Sequence, residues 1–306
     1  MRTNTLLSLL SAATAVVSEQ YATRKVYQLD PGTWIENVAQ RGSSWYTRLT
    51  CDDRPEVLEV DPSHQHGGPR SIYTFAEATN ATGIAELSAD KYGVLTLNET
   101  ADGITVSIWT LETSGPEPTA TTIIENIDNV ELLNGLTAIS SNIVLAADSP
   151  DGGIYRINLA TRTADKVLSG DSYAFSPGVN GLGYKEPYLY YTNTFKGLFG
   201  RILVDASTGS PAGLAEVLAS GDILVGADDF ALAYWTETAF VANIEKNTVV
   251  RIDLDNGAAE VVVEGIPAPT TATFGTSGGL YVATSGRGKD GGASIWAIEV
   301  PDETLA

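Results

Sequence analysis

Short apolar runs alternate with polar positions along most of the chain, and turn residues separate these runs. The segments 154–159, 249–254 and 294–298 alternate apolar and polar residues in this way. A period of two residues is that of a half-buried β-strand. Beyond the N-terminal segment, the sequence lacks the apolar stripes with a 3.6-residue period that indicate helices. The pattern therefore predicts an all-β protein.

The strand pattern itself repeats along the chain. Each repeat starts at an anchor residue and continues with a short apolar strand, a turn and a second apolar strand, followed by further strands. Four short strands in every 40–50 residues or so are typical of propeller blades. The sequence therefore predicts a single six-bladed β-propeller domain over residues 19–306, with anchors at Glu36, Gly83, Asn134, Asn180, Asp229 and Thr271.

The two ends of the repeat array predict how the propeller closes. The last repeat stops soon after its third strand, at Val300, whereas an extra strand pattern at 26–29 precedes the first anchor. An incomplete blade would leave an unpaired strand edge, which folded proteins avoid. We therefore expect the N-terminal strand to complete the last blade.

The first 18 residues have the order of a secretory signal peptide. Arg2 precedes an apolar run over 6–17, and small residues lead up to Ser18. This run is shorter than the roughly 20 residues that span a bilayer, so we expect no stable membrane span. A cleaved signal would send the chain into the secretory pathway or outside the cell, where the sequons at Asn80 and Asn98 could be glycosylated. The alternative is an uncleaved N-terminal helix.

Composition narrows the classes of partner. The chain has 306 residues, 18 Lys and Arg against 38 Asp and Glu, and a net charge of −20. Nucleic-acid affinity depends on clustered basic residues, so this balance argues against a nucleic-acid partner. The 43% of apolar residues can form a sizeable core, and the single Cys51 cannot form an intrachain disulfide.

One rim of the predicted propeller collects candidate metal ligands. The starts of the innermost strands and the loops between second and third strands share this rim, around the mouth of the central channel. Carboxylate and amide oxygens there could hold one divalent ion such as Ca, Mg, Mn or Zn. The candidate ligands are Glu36, Asn134, Asn180 and Asp229, with Asp228 as the alternative to Asp229 because adjacent strand residues face opposite sides. Asn and Asp also form tight turns at strand starts, which is the structural alternative.

Loops at the same mouth supply candidate catalytic groups. Phe195 and Phe199 could form an apolar lid over a hydrophobic small-molecule substrate, and Lys196 between them could stabilise developing negative charge. Asp148 follows a strand directly and could serve as a catalytic carboxylate. The alternatives are a loop folded onto the rim and an ordinary turn.

Other charged residues fit catalysis less well. His64 and His66 fall on a turn that blade geometry places at the opposite rim, which disfavours a Ser-His-Asp mechanism. Arg287 and Lys289 lie among glycines at the mouth and would suit anion binding, although a solvated loop explains them equally well.

The anchors carry a resemblance to a known superfamily. The chain resembles the SMP-30/gluconolactonase/luciferin-regenerating-enzyme superfamily of six-bladed propellers over residues 26–300. The resemblance implies a divalent metal held by Glu36 of the first blade, Asn134 of the third, Asn180 of the fourth and Asp229 of the fifth. It also implies a metal-dependent lactonase as one possible activity.

Three short segments are similar to a fungal secondary-metabolism branch of that superfamily. These segments are 32–37, 191–195 and 228–232. The branch includes hetero-Diels-Alderases, which join a tropolone quinone methide to a humulene-type sesquiterpene. The similarity implies a pericyclase that works mainly by holding its substrates in a reactive orientation. A metal-dependent lactonase is the alternative enzyme, and a non-catalytic ligand-binding propeller is the alternative of another class.

Overall fold

The computed structural model describes residues 20–40, 47–51, 54–61, 68–171, 173–174, 178–275, 278–287, 291–301 and 304, without the side chains of 40 and 47–49. The signal-peptide prediction at 1–18 and the predictions for His64, His66 and Lys289 lie outside these residues. The described chain folds into six four-stranded antiparallel sheets. The prediction of an all-β, six-bladed propeller is confirmed, and the described residues contain one short 3₁₀ turn, Asp222–Leu224.

Five sheets are built from four consecutive strands each, with the first strand of each innermost. Blade 1 contains β2 (Ile35–Gln40), β3 (Thr47–Cys51), β4 (Glu56–Val60) and β5 (Arg70–Thr74). Blade 2 contains β6 (Asn80–Ser88), β7 (Lys91–Thr100), β8 (Gly103–Glu112) and β9 (Thr119–Ile124). Blade 3 contains β10 (Leu133–Ser140), β11 (Ile143–Asp148), β12 (Gly153–Asn158) and β13 (Thr163–Leu168).

Blades 4 and 5 repeat this order. Blade 4 contains β14 (Val179–Lys185), β15 (Tyr188–Asn193), β16 (Leu198–Leu203) and β17 (Glu216–Ser220). Blade 5 contains β18 (Ala227–Leu232), β19 (Thr238–Asn243), β20 (Thr248–Asp253) and β21 (Ala259–Glu264).

Blade 6 combines the two ends of the chain. Its three inner strands are β22 (Pro269–Phe274), β23 (Leu280–Thr284) and β24 (Ser294–Ile298). The outermost strand is β1 (Thr23–Gln28), which pairs antiparallel with β24. Thr23 lies opposite Ile298, and Gln28 lies opposite Ser294.

The hydrophobic core lies between neighbouring blades. One cluster joins blades 2 and 3 through Leu95, Val106 and Val144, and another joins blades 4 and 5 through Phe199 and Phe230. Each blade therefore buries its apolar faces against the next blade, and the inner strands are held around a central channel. Among the described residues, no helix is long and apolar enough to cross a membrane.

Candidate functional site

Every innermost strand carries one extra residue near its start, relative to its partner strand. In β14, Val179 pairs with Asn193 and Leu182 pairs with Tyr191, so that two residues face Thr192 alone. Such a β-bulge turns a side chain away from the regular alternation. The first residue in each of the six register breaks forms what we call the polar ring: Glu36, Thr82, Asn134, Asn180, Asp228 and Thr270.

Glycines allow the inner strands to approach one another closely at the ring. Gly83 and Gly135 follow the ring residues of blades 2 and 3, and a Cβ on either would overlap the backbone carbonyl of the next ring residue, Asn134 or Asn180. Only glycine fits at such a contact without a shift of the backbone. The ring is narrow because these strands nearly touch.

The two ring threonines serve to connect blades. The Thr82 hydroxyl donates to the carbonyl of Leu133 (2.9 Å), and the Thr270 hydroxyl donates to the carbonyl of Ile35 (2.7 Å). Both acceptors belong to the inner strand of the following blade. The remaining four ring residues present carboxylate and amide groups.

The Glu36 carboxylate accepts hydrogen bonds from two side chains, Asn134 and Trp34. Its Oε1 accepts a hydrogen bond from Asn134 Nδ2 (2.8 Å), although the two residues come from blades 1 and 3. Its Oε2 accepts a hydrogen bond from the Trp34 indole Nε1 (2.5 Å). Both carboxylate oxygens are therefore fixed in position, and the side chain is buried.

Asp228 is the second buried carboxylate of the ring. Burial raises its pKa well above the ordinary value, and the negative charges of Glu36 and then Asp229 raise it further. The Asn180 side chain and the positive charge of Arg287 oppose this shift. Asn180 is itself oriented by a hydrogen bond from its Nδ2 to Thr194 Oγ1 (3.1 Å). The ring thus holds a second buried carboxyl group close enough to Glu36 for their charges to interact.

Asp229, the predicted ligand of blade 5, directly follows the ring residue Asp228. Asp229 Oδ1 accepts from the backbone N–H of Phe230 (2.8 Å), and Thr271 Oγ1 donates to Oδ2 (3.4 Å). Asp229 therefore lies one residue deeper in the channel than Glu36 and Asn180. Burial raises its pKa to about 7. The structure brings together Glu36, Asn134, Asn180 and Asp228 in the ring, and a role of Asp229 as a metal ligand stays a prediction.

The sequence held a signal for this register. Thr82-Gly83, Asn134-Gly135 and Asn180-Gly181 are equivalent pairs, and Asp228-Asp229 aligns with them. Aligning blade 2 on Thr82 instead of Gly83 would have selected Asp228.

Phe199 is not part of a lid. It lies in β16 as a fully buried core residue, stacked on Tyr190 with ring centroids 5.9 Å apart and edge-on to Phe230 at 4.9 Å. Phe195 is 59% exposed on the turn before this strand. The apolar alternation within β16 directs Phe199 between blades 4 and 5, so Phe195 alone is left as a lid candidate.

Asp148 has a structural role at the end of β11. It is fully buried, and its two carboxylate oxygens accept the backbone N–H groups of Glu131 (2.8 Å) and Leu132 (3.1 Å). Asn193 and Asn243 end the second strands of blades 4 and 5, where each side chain donates to a loop carbonyl and accepts from a loop N–H group. The prediction of Asp148 as a catalytic carboxylate at the mouth is therefore wrong.

Lys196 lies on the same turn as Phe195. Its backbone N–H donates to Asn193 Oδ1 (2.9 Å), and its Nζ donates to the backbone carbonyl of Asp171. The ammonium group is thus engaged with a neighbouring loop. A role in stabilising substrate charge stays a prediction.

A cavity of about 470 Å³ occupies the channel beyond the polar ring. Asp229 lies at its ring end and Tyr234 at its far end, and Leu182, Phe230 and Phe274 contribute apolar surface between them. This volume is within the range of small-molecule sites. The channel can therefore admit a compact organic ligand.

No protein-family profile matches this sequence, and no curated protein matches it either. Among solved structures, a luciferin-regenerating enzyme matches with a TM-score of 0.69 and 16% identity, over 92% of this chain and 95% of that chain. A calcium-binding protein, regucalcin, from Agrobacterium tumefaciens matches with a TM-score of 0.68 and 16% identity, over 92% and 96%. A gluconolactonase from Xanthomonas campestris matches with a TM-score of 0.65 and 15% identity, over 95% and 94%. At these identities the likeness establishes that the chain shares the propeller fold of these proteins.

Proposed function

We propose that this protein is a metal-dependent hydrolase of lactones, with its reaction centre at the polar ring. The observation that carries the proposal is the pairing of two buried carboxylates, Glu36 and Asp228, with two asparagine side chains at the start of the inner strands. The structural similarity to a gluconolactonase supports the same activity.

The chemistry of these four residues fits a hard divalent cation. Two carboxylates and two amide groups supply oxygen donors of the kind that Ca²⁺, Mg²⁺ and Mn²⁺ prefer. Among the described residues, no three His, Cys, Asp or Glu side chains form a group that could hold a metal. A cation at the ring would therefore need the oxygens of Asn134 and Asn180 in addition to the two carboxylates. Burial, and then the nearby carboxylates of Glu36 and Asp229, raise the pKa of Asp228, and a bound cation would favour its ionised form.

The residues around the ring would prepare the site for hydrolysis. Glu36, Asp228, Asn134 and Asn180 would hold the cation. A bound divalent ion polarises a lactone carbonyl and lowers the pKa of water. The Trp34 indole N–H fixes Glu36 Oε2, and Thr194 fixes the Asn180 amide. In the reaction, the oxygen of water bonds to the carbonyl carbon, the ring C–O bond breaks, and the leaving oxygen takes the proton that water gives up.

The test is hydrolysis of D-glucono-δ-lactone and a panel of simple γ- and δ-lactones, in which a pH indicator monitors the release of acid. We expect turnover that chelator abolishes and Mn²⁺ or Ca²⁺ restores. Glu36→Gln should lower kcat/KM at least 100-fold, because it removes one of two ring carboxylates. Glu117→Gln, on an exposed loop, is the matched control and should keep full activity. Lactone turnover that is unaffected by chelator and by Glu36→Gln would contradict the proposal.

A hetero-Diels–Alder reaction is the second candidate, and the channel cavity favours it. Apolar groups of Leu182, Phe230 and Phe274 line a space that could orient a terpene against a quinone methide. This activity should persist in chelator, because positioning supplies most of the rate. Incubation of both substrates with the protein, followed by chiral chromatography of the adducts, tests it. Inactivity in both assays would favour a ligand-binding propeller.

A further inference from the structure

Arg287 places a positive charge beside the polar ring. Its guanidinium carbon lies 4.7 Å from the centroid of the Trp34 ring, and the same indole donates its N–H to Glu36. The Trp34 side chain thus connects Arg287 to the ring carboxylate Glu36.

The Arg287 guanidinium is only loosely paired. Its Nη1 lies 3.9 Å from Glu245 Oε1, which is longer than a hydrogen bond, and its side chain is 57% exposed. A guanidinium that lies against an aromatic face keeps its planar N–H edge for a carboxylate, which it can bind through two parallel hydrogen bonds. The stacking also reduces the entropy lost when an anion binds.

A second arginine contacts Thr33, the residue before Trp34. Arg54 Nη2 donates to the Thr33 hydroxyl (3.0 Å), and its Nε lies 3.3 Å from Glu56 Oε1. Two guanidinium groups therefore contact the consecutive residues 33 and 34, in a chain in which acidic residues outnumber basic ones two to one. Two cationic groups on neighbouring residues at a site entrance can bind an anionic group together.

We propose that Arg287, supported by Trp34 and Arg54, binds an anionic group of the substrate, so that the preferred substrates are lactones that carry a carboxylate. This proposal rests on lactone hydrolysis at the polar ring. Arg287 is a specificity-determining residue in it, and the groups that hold the cation are unchanged.

The test compares two lactones that differ only in charge: 5-oxotetrahydrofuran-3-carboxylate and its neutral primary carboxamide. Arg287→Gln should raise KM for the carboxylate about tenfold or more, as expected for loss of a charge-assisted hydrogen bond, and should change KM for the carboxamide less than twofold. kcat should stay the same for both lactones. Arg287→Lys should recover part of the loss. Arg70→Gln is the matched control, because Arg70 lies on β5, the outermost strand of blade 1, where it pairs with Glu59 of β4.

A titration with glutarate, monitored by tryptophan fluorescence, measures anion binding separately from hydrolysis. Saturable binding that Arg287→Gln abolishes and Arg70→Gln leaves intact supports the anion site even if neither lactone is hydrolysed, an outcome that would count against the proposed hydrolase alone. Equal rises in KM for both lactones, or glutarate binding that is absent or independent of Arg287, would overturn the proposal.

Discussion

Asp228→Asn should have opposite effects on stability with and without a divalent cation. In chelator, the wild-type protein buries this carboxylate next to Glu36 and Asp229, which raises its pKa and costs folding free energy. An amide of nearly the same shape removes this cost. We expect a gain on the order of 1–3 kcal/mol, from the usual cost of burying poorly compensated polar groups. For a chain of this size that gain corresponds to a rise in Tm of several degrees, at roughly 2–4 °C per kcal/mol.

With a cation present, the order of stabilities should reverse. A ligand at 100 times its Kd stabilises the folded state by about 2.7 kcal/mol, so wild-type Tm should rise by at least about 5 °C on addition of Mn²⁺ or Ca²⁺. Asp228→Asn should lose most of this rise. Asp229→Asn is the matched control, since its carboxylate faces Phe230 and Thr271 instead of Glu36, and it should keep the rise. Differential scanning fluorimetry of the wild type and both variants, in chelator and in the divalent cation, measures these Tm values. A rise that Asp229→Asn abolishes and Asp228→Asn retains would refute this description of the ring.

Three further predictions concern packing and pH. Gly135→Ala should cost about 1–3 kcal/mol in urea unfolding, because the added Cβ overlaps the next inner strand, whereas Gly68→Ala has open space and should cost less than about 0.5 kcal/mol. Phe199→Ala should cost about 3–5 kcal/mol and Phe195→Ala less than about 1 kcal/mol; equal costs would contradict the core position of Phe199. Folding raises the pKa of Asp229 to about 7. In chelator, the free energy of unfolding should therefore be highest below about pH 4 and should fall by up to about 4 kcal/mol as the pH rises to about 7. Asp229→Asn should flatten the dependence of the urea midpoint on pH between 4 and 8, and an unchanged slope would count against the buried carboxyl.

The blade repeat was predictable from sequence because it is encoded in local patterns. Alternating apolar positions recur from blade to blade, and the segments 154–159 and 249–254, for example, lie two blades apart. Four-stranded sheets follow from these intervals without knowledge of any contact between blades. The order of the blades around the channel then follows from the order of the chain.

The exact ring residue in each blade was not predictable from alternation alone. A bulge adds one residue to each inner strand, and this shifts which side chain faces the channel. In blades 3 and 4, the anchors Asn134 and Asn180 are also the first residues of the register breaks, and glycine follows each of them. In blade 5, two consecutive aspartates left the register open, and the structure resolves it in favour of Asp228.

Asp148 and Phe199 were misjudged for a related reason. Both lie next to loops at the entrance, and position in a loop suggested exposure. The structure instead buries Asp148 among backbone N–H groups that need an acceptor, and buries Phe199 between two blades. A residue at a strand end can accept hydrogen bonds from backbone N–H groups or pack in the core. Its position in the sequence does not distinguish these roles from catalysis.

Anomalous diffraction from crystals soaked in Mn²⁺, recorded at the manganese absorption edge, tests the central claim most directly. The polar ring predicts one strong peak within about 2.0–2.6 Å of carboxylate oxygens from both Glu36 and Asp228, with Asn134 and Asn180 adjacent. A map with no peak at the ring, or with the main peak beside Asp229 or elsewhere in the channel, would contradict it.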